Sequence, residues 1–195
     1  AADCKALISR VRAELGPVEI LVNNAGGPPP GTFTDVSDED WLAAFQLNLM
    51  SAVRLTRLVL PEMRARRWGR IINITSLAVK QPIPNLILSN AVRVGVVAMA
   101  KTLAGQVAAE GITVNNVCPG YMLTDRVRSL AADRAAREER SVEEILAESQ
   151  ATIPAGRMGR PEELAALIAF LASEKASYIT GTTIPVDGGA IQSLD

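Results

Sequence analysis

Four short apolar runs, separated by helical patterns, constrain the fold more than any other feature of this chain. They cover residues 18–23, 69–74, 112–117 and 182–186, and each contains at least two Val or Ile residues. Near-continuous apolar runs are typical of strands that are covered on both faces, as in parallel sheets. The order of strands and helices therefore predicts a doubly wound, Rossmann-like α/β fold.

Capping residues indicate where two of the helices begin. Ser37, followed three residues later by Asp40, forms a start of the capping-box type. Pro161 stands at a first helical position and is followed by two glutamates, which are favourable near the positive end of a helix. Between these two helices a long, largely apolar helix is predicted over residues 89–108.

Length and composition indicate one globular domain. The chain has 195 residues, of which 48% are hydrophobic, so it can bury a full core. We expect a single domain over residues 1–195, with a charged helical excursion at about 124–154. Insertions of this length are often lids over a binding site.

The charge pattern excludes several classes of partner. Twenty cationic and 21 acidic residues are interleaved along the chain, so we expect neither nucleic acid nor an anionic membrane as a partner. The one basic cluster, at 64–70, is interpreted as a solvated helix end. With no histidine and only Cys4 and Cys118, we expect no metal site and no disulfide framework. We expect a cytoplasmic protein without a membrane span.

Short motifs follow the predicted strands in a fixed order. They are Asn23-Asn24-Ala25-Gly26, Asn73-Ile74-Thr75-Ser76, Pro119-Gly120 with Thr124, and Asp187-Gly188-Gly189. In this series the chain resembles the short-chain dehydrogenase/reductase superfamily, and within it the reductases of 3-oxoacyl thioesters. The resemblance spans the whole chain but matches only the C-terminal two-thirds of the family's fold. The N-terminal βαβαβ portion, whose Gly-rich turn binds the pyrophosphate, is expected to be missing.

The resemblance implies a reaction mechanism. Family members transfer a hydride between a nicotinamide and a carbonyl or alcohol carbon, and a tyrosine donates the proton. A lysine four residues later lowers the tyrosine pKa and binds the ribose, a serine hydrogen-bonds the substrate oxygen, and an asparagine holds a relay water. Matched by position, Ser76 takes the serine role and Asn48 the asparagine role. The tyrosine and lysine positions hold Ser89 and Arg93.

These two departures put ordinary catalysis in doubt. The Ser89 hydroxyl lies several ångströms short of a tyrosine hydroxyl and has a far higher pKa. The Arg93 guanidinium can donate to ribose hydroxyls but does not readily shuttle protons. Ser89 as a helix N-cap and Arg93 as a surface ion-pair partner are the structural alternatives. Tyr121, or a bound water, is a candidate for the proton donor that replaces the tyrosine.

The resemblance also implies ligands and partners. The cofactor is NAD or NADP, the substrate a small carbonyl or acyl compound, and the assembly a homotetramer or homodimer formed through the helices that start near Ser37 and Ser89. The residues implied in cofactor binding are Asn24, Ala25, Gly26, Arg93, Pro119, Gly120, Met122 and Thr124.

Three functions therefore remain open at this point, and the weakest of them is a structural role without a ligand. The first is an NAD(P)-dependent oxidoreductase with the pattern SxxxR, at Ser89 and Arg93, in place of YxxxK. The alternative is a catalytically inactive protein of the same fold that binds a dinucleotide or an acyl ligand. The residues alone leave open whether the chain is an enzyme.

Overall fold

A parallel four-stranded sheet forms the centre of the molecule in the computed structural model, which describes residues 2–193, without the side chains of positions 126 and 130. The strands lie in chain order: β1 Ile20–Asn24, β2 Gly69–Ile74, β3 Ile112–Pro119 and β4 Thr183–Val186. All neighbouring pairs are parallel. The strand positions predicted from the apolar runs are confirmed to within two residues.

Seven α-helices connect and flank these strands in the described residues. Both predicted helix starts are confirmed, because Ser37 and Asp40 form a reciprocal capping box and Pro161 occupies the first helical turn. A widened π-helical turn, Phe45–Met50, joins the second helix to the third. The helices are α1 Ala2–Leu15, α2 Asp38–Ala44, α3 Ser51–Arg66, α4 Ile87–Val107, α5 Asp125–Glu138, α6 Val142–Ala151 and α7 Pro161–Leu171.

One face of the sheet is covered by α1, α3 and α4. Burial of large aliphatic side chains here stabilises the fold by about 1.5–3 kcal/mol for each residue. The buried residues of this face include Ile8, Leu21, Val59, Ile71, Ala104 and Val114.

The opposite face is covered by α7, whose apolar partners come from β2, β3 and β4. On β1 this face is open: Ile20 and Val22 are 45% and 41% exposed, whereas Leu21 and Asn23 on the other face are buried. The prediction that every strand is covered on both faces is therefore wrong for β1. The reason is positional, since β1 is an edge strand and α7 packs over the other end of the sheet.

Helix α4, with the turn that follows it, is long and apolar enough by length and composition to cross a membrane. Its contacts are those of a core helix. Leu88, Ala100 and Val107 are fully buried in the described structure, and the last two pack against the sheet. The helix also buries a charged side chain, Arg93.

The cations of the 64–70 cluster have partners. Arg64 pairs with Glu110, Arg66 pairs with Glu19, and Arg67 donates to the Ala109 carbonyl. Arg70, however, is only 2% exposed and stacks on the Trp68 ring, 4.4 Å from its centroid. The interpretation as a solvated helix end is wrong for Arg70, because this residue belongs to β2 and its guanidinium is held by the carbonyls of Gly69 and Gly111.

Helices α5 and α6 occupy the residues of the predicted excursion. They pack on each other around Ala131, Ala135 and Ile145, a small core separate from the cores that flank the sheet. Arg134 and Arg140 join the two helices through ion pairs with Glu148. A lid function for this helix pair stays a prediction.

Candidate active site

The π-helical turn before α3 buries an asparagine at the carboxyl edge of the sheet. Asn48 Nδ2 donates to the Gly26 carbonyl at 2.8 Å, which turns Oδ1 away from the backbone. Asn48 is 5% exposed, and its buried Oδ1 has no hydrogen-bond partner among the described residues. A buried acceptor without a donor is unfavourable, so this atom marks a position for a water or for a ligand donor. Widened turns of this kind are frequent at functional sites.

Arg93 extends from α4 to the ends of β1 and β2. Its Nη1 donates to the carbonyls of Ile74 and Thr75, at 3.2 and 3.0 Å. Its Nη2 donates to the carbonyls of Ala25 and Gly26, at 3.2 and 3.4 Å. These four bonds, which we call the Arg93 clamp, hold the turn after β1 against the end of β2.

The charge of Arg93 is held without a carboxylate among the described residues. The side chain is 7% exposed, and this burial lowers the pKa of the Arg93 guanidinium. A guanidinium keeps its proton in proteins, so the group stays cationic at neutral pH. The surface ion-pair interpretation is therefore wrong, because four backbone carbonyls solvate the cation in place of an acid.

Ser76 follows β2 and lies beside the Arg93 clamp. Its Oγ accepts a hydrogen bond from the Ala78 amide at 3.1 Å and caps the short 3-10 turn Leu77–Val79. The side chain is half-buried. A hydroxyl that accepts one bond keeps its own proton for donation, so Ser76 can donate to an oxygen of a bound ligand.

Ser89 is buried within the first turn of α4 and is not an N-cap. The helix begins at Ile87, and the residue in the cap position is Leu86. The Asn90 side chain donates from Nδ2 to the Ile83 carbonyl and accepts at Oδ1 from the Ile83 backbone amide. These two bonds fix the loop that precedes the helix and set the helix start. The N-cap interpretation is therefore wrong, and the Ser89 hydroxyl makes no hydrogen bond within the described part of the chain.

The structure brings five of the proposed site residues to one cavity of about 340 Å³. It lies at the carboxyl ends of β1 and β2, between the sheet and helices α3 and α4. The five are Asn24, Ala25, Gly26, Asn48 and Arg93.

Tyr121 lies at a second cavity, of about 300 Å³, which we call the Tyr121 cavity. Its walls are Leu77, the loop 81–84, Thr152 and the segment 190–192. The two cavities share no lining residue. Ser76 lies between them along the chain, since Ile74 lines the first cavity and Leu77 the second.

The residues after β3 are not brought to the first cavity. The Gly120 amide donates to the Val186 carbonyl at 2.9 Å, which ties this segment to β4 after the end of β3 at Pro119. Met122 is buried, and Thr124 caps α5 through its Oγ1. A cofactor contact from these residues stays a prediction.

A row of buried amides was missed in the sequence. Asn23, Asn73 and Asn116 are register partners on three adjacent strands. Each side chain donates to the next, Asn23 to Asn73 at 2.8 Å and Asn73 to Asn116 at 3.0 Å, and Asn116 donates to Thr183 at 3.1 Å. The available signal was an asparagine close to the end of each of the first three apolar runs. Asn23 and Asn73 of this amide row line the first cavity.

Comparison with known proteins identifies the family. A family model described as enoyl-(acyl carrier protein) reductase matches residues 1–190. The 3-oxoacyl-(acyl-carrier-protein) reductase FabG of Escherichia coli is 40% identical over 188 residues, which are 96% of this chain and 72% of that protein. The chain belongs to the short-chain dehydrogenase/reductase superfamily. Nodulation protein G of Azospirillum brasilense is 38% identical over 187 residues, with the same coverage.

Solved structures agree with this membership. An L-sorbose reductase from Gluconobacter frateurii, in complex with NADPH and L-sorbose, superposes with a TM-score of 0.95 at 34% identity. YwfH, an NADPH-dependent reductase involved in bacilysin biosynthesis, gives 0.93 at 31% identity. Each comparison covers 99% of this short-chain dehydrogenase/reductase chain and 74% of the other. The predicted family and the Rossmann-like fold class are confirmed.

Proposed function

We propose that this chain is an NAD(P)-dependent oxidoreductase that reduces a 3-oxoacyl-type or related carbonyl compound with an atypical proton donor. Family membership supports the reaction class. Relatives carry the names 3-oxoacyl-(acyl-carrier-protein) reductase and acetoacetyl-CoA reductase, and two solved neighbours are described as NADPH-dependent or NADPH-bound reductases. The observation that carries the proposal is the unpaired, buried Asn48 Oδ1 in a cavity at the strand ends.

The residues of the first cavity fit a nicotinamide cofactor. Ligands of open α/β sheets bind outside the carboxyl ends of the strands, where this cavity lies. The turn Asn24–Gly26 supplies a close backbone approach, and Asn48 Oδ1 would accept a bond from a hydroxyl group or a water. When bound, NAD(P) supplies the hydride.

Arg93 has a different role in this proposal from the family's lysine. Its four Nη hydrogens face four backbone carbonyls, so they are not free for ribose hydroxyls. The clamp instead fixes the turn against which a cofactor would pack. Arg93 is therefore a positioning residue.

The substrate oxygen needs a hydrogen-bond donor and a proton. Ser76 supplies the donor, since its hydroxyl proton is not used by the Ala78 amide. Ser89 is buried and too weak an acid to supply the proton. A water or the Tyr121 hydroxyl at the neighbouring cavity is the donor that remains.

The absence of the tyrosine and lysine favours a second candidate, a non-catalytic ligand-binding protein of the same family. One experiment separates the two functions. The full chain is assayed for NADPH oxidation with acetoacetyl-CoA, and NADPH binding is measured by fluorescence titration.

Turnover that falls at least tenfold in Ser76→Ala, but not in the exposed control Ser177→Ala, supports the oxidoreductase. NADPH binding without turnover supports the second candidate. Absence of both binding and turnover contradicts both.

We also propose that the protein forms a homodimer or homotetramer through the exposed face of α3 and α4. A groove of about 560 Å³ between these helices is lined by Val53, Leu60, Met99 and Leu103, among others. Light scattering should show that Met99→Glu shifts the chain to monomer, whereas Leu15→Glu on the exposed end of α1 does not. A monomeric unmodified chain would contradict the assembly.

A further inference from the structure

Two buried amide oxygens of the first cavity have no hydrogen-bond donor within residues 2–193. They are Asn23 Oδ1 and Asn48 Oδ1, on residues that are 8% and 5% exposed and that both line the cavity. The proposed function uses only the second of these oxygens. A buried acceptor without a donor is unfavourable, so two of them in one cavity favour a ligand group that brings two donors.

Backbone carbonyls fix the orientation of both amides. Asn48 Nδ2 donates to the Gly26 carbonyl, which cannot donate in return, so Oδ1 is the atom that remains free. At the far end of the amide row, Asn116 Nδ2 faces the Thr182 carbonyl at 3.5 Å. The direction of the earlier links follows from this end, and Asn23 therefore donates through Nδ2 and keeps Oδ1 free.

Arg93 limits the charge of a ligand group at these acceptors. It is the one charged residue in the lining of the first cavity, and its Nη groups donate to four backbone carbonyls. A cationic donor, such as an ammonium group, would share the cavity with this guanidinium, and like charges repel. Neutral donors avoid the repulsion, which leaves hydroxyl groups and amide N–H groups.

Two hydroxyl groups suit the positions of the acceptors better than one amide group does. Asn23 belongs to β1 and Asn48 to the π-helical turn, so the two oxygens lie on different elements. Hydroxyls on neighbouring carbons turn their protons independently, whereas both N–H bonds of an amide start from one nitrogen in a fixed plane. The apolar lining residues Leu55, Ile74 and Val96 can pack against the carbon atoms that carry the hydroxyls.

We propose that the first cavity binds a vicinal diol, with one hydroxyl donating to Asn23 Oδ1 and the other to Asn48 Oδ1. Asn23 is then a ligand-binding residue as well as the first link of the amide row. The inference rests on the proposed function in taking the first cavity as the ligand site, and it adds the chemical group that is bound there. Such a diol can come from the ribose of a dinucleotide or from a sugar-like substrate.

The test compares two neutral ligands that differ only in the diol. They are reduced nicotinamide riboside and its 2′,3′-dideoxy analogue, and their dissociation constants for the full chain are measured by the fluorescence of the dihydronicotinamide. We expect the riboside to bind at least tenfold more tightly, because the analogue lacks two hydrogen bonds. Equal binding would show that water serves both acceptors and would overturn the inference, as would binding of neither ligand.

Substitutions in the cavity assign the preference to the two amides. In Asn23→Ala and in Asn48→Ala the preference for the riboside should fall at least threefold, since each variant loses one acceptor. Thr183→Val is the matched control, because it removes the hydroxyl at the end of the amide row but leaves Asn23 Oδ1 in place, and it should keep the full preference.

Asn48→Ala leaves the amide row intact, so this variant decides the test if Asn23→Ala does not fold. A preference that survives the loss of either amide would contradict the proposal.

A third ligand identifies the source of the diol. Methyl β-D-ribofuranoside carries the same diol without a nicotinamide. Binding at least tenfold weaker than that of the reduced nicotinamide riboside would assign the site to a cofactor ribose. Equal binding of the two would assign it to a sugar-like substrate, and either result keeps the diol site.

The two proposals can fail separately. A preference for the diol without NADPH-dependent turnover would remove the reductase and leave the diol site. Turnover of acetoacetyl-CoA, together with equal binding of the riboside and its dideoxy analogue, would keep the reductase and remove the diol site.

Discussion

The guanidinium groups of two arginines, in two regions of the molecule, find their hydrogen-bond partners in opposite ways. At the ends of β1 and β2, Arg93 is buried and bonded to backbone carbonyls, and burial lowers its pKa. Between α5 and α6, Arg134 lies at the surface and is bonded to Glu138 and Glu148, which raise its pKa. The first arrangement joins two strand ends, whereas the second joins two neighbouring helices.

The region around Arg93 is therefore a rigid site within the central fold, whereas the helix pair α5 and α6 has its own small core. The bonds of Arg93 cross from α4 to turns 67 and 68 residues away in sequence, so their loss affects the central fold. The bonds of Arg134 span only 4 and 14 residues. We therefore expect substitutions at the first region to lower global stability and those at the second to act locally.

The largest effect is expected when Arg93 is replaced. Arg93→Met leaves four carbonyls without their donor, which should lower the free energy of unfolding by about 3–5 kcal/mol. The melting temperature, followed by circular dichroism, should fall by roughly 6–20 °C. Arg137→Met on the surface of α5 serves as the matched control and should melt like the parent. Similar melting of both variants would show that Arg93 is no clamp.

Restoring the tyrosine and the lysine of the family tests whether the rest of the site is intact. In Ser89→Tyr the proton donor returns, while in Arg93→Lys a single ammonium replaces a fork that reaches four carbonyls. We expect the double variant to gain reductase activity at least tenfold and to melt several degrees below the parent. No gain in NADPH oxidation would show that the site has diverged beyond these two positions.

The amide row is expected to give the next effect. Asn73→Ala removes the central link, leaves the Asn116 acceptor without its bond, and leaves the Asn23 donor with only the Thr56 hydroxyl at 3.5 Å. The free energy of unfolding in urea should fall by about 2–3 kcal/mol. Ser177→Ala, at an exposed position, should lie within about 0.5 kcal/mol of the parent. A neutral Asn73→Ala would show that water replaces the row.

A smaller and local effect is expected at the start of α6. Ser141 accepts from the Glu144 amide in a capping box, so Ser141→Ala should cost about 1 kcal/mol of helix stability. Hydrogen exchange should accelerate in α5 and α6 but not in β2 or β3. Acceleration throughout the sheet would contradict the independence of the helix pair.

The smallest effect is expected from pH. The hydrogen bond from Arg134 holds the pKa of Glu138 below its usual value, and the one from Arg140 does the same for Glu148. A lowered carboxyl pKa contributes stability above the unfolded value, near 4.5, that is lost as the pH falls through the folded value. The protection factors of the α5 and α6 amides, which are exchange rates corrected for the intrinsic rate at each pH, should therefore fall as the pH is lowered from 5 to 3, and 1 M salt should reduce the difference. Protection that does not change with pH would show that these ion pairs do not stabilise the helix pair.

The sequence predicted what is local. The apolar runs place β1 to β4, and capping residues place the starts of α2 and α7. The resemblance carried by the ordered motifs names Asn24–Gly26 and Asn48 as site residues, and the structure places them at one cavity.

What failed depends on contacts between distant segments. Ser89 is of a residue type that is common at helix N-caps, but with the bond between Asn90 and Ile83 the helix already begins at Ile87. No spacing rule shows that Arg93 meets the Ala25 carbonyl, 68 residues away. The open face of β1 also depends on where α7 packs.

The amide row has a direction. Every link donates toward β4, from Asn23 to Asn73 to Asn116 to Thr183, so the side-chain dipoles add head to tail. The negative end of this series is Asn23 Oδ1, which is buried, unpaired and part of the first cavity. The amide row thus has a fixed dipole direction across the strands. Its negative end at the cavity attracts a ligand group that donates a hydrogen bond.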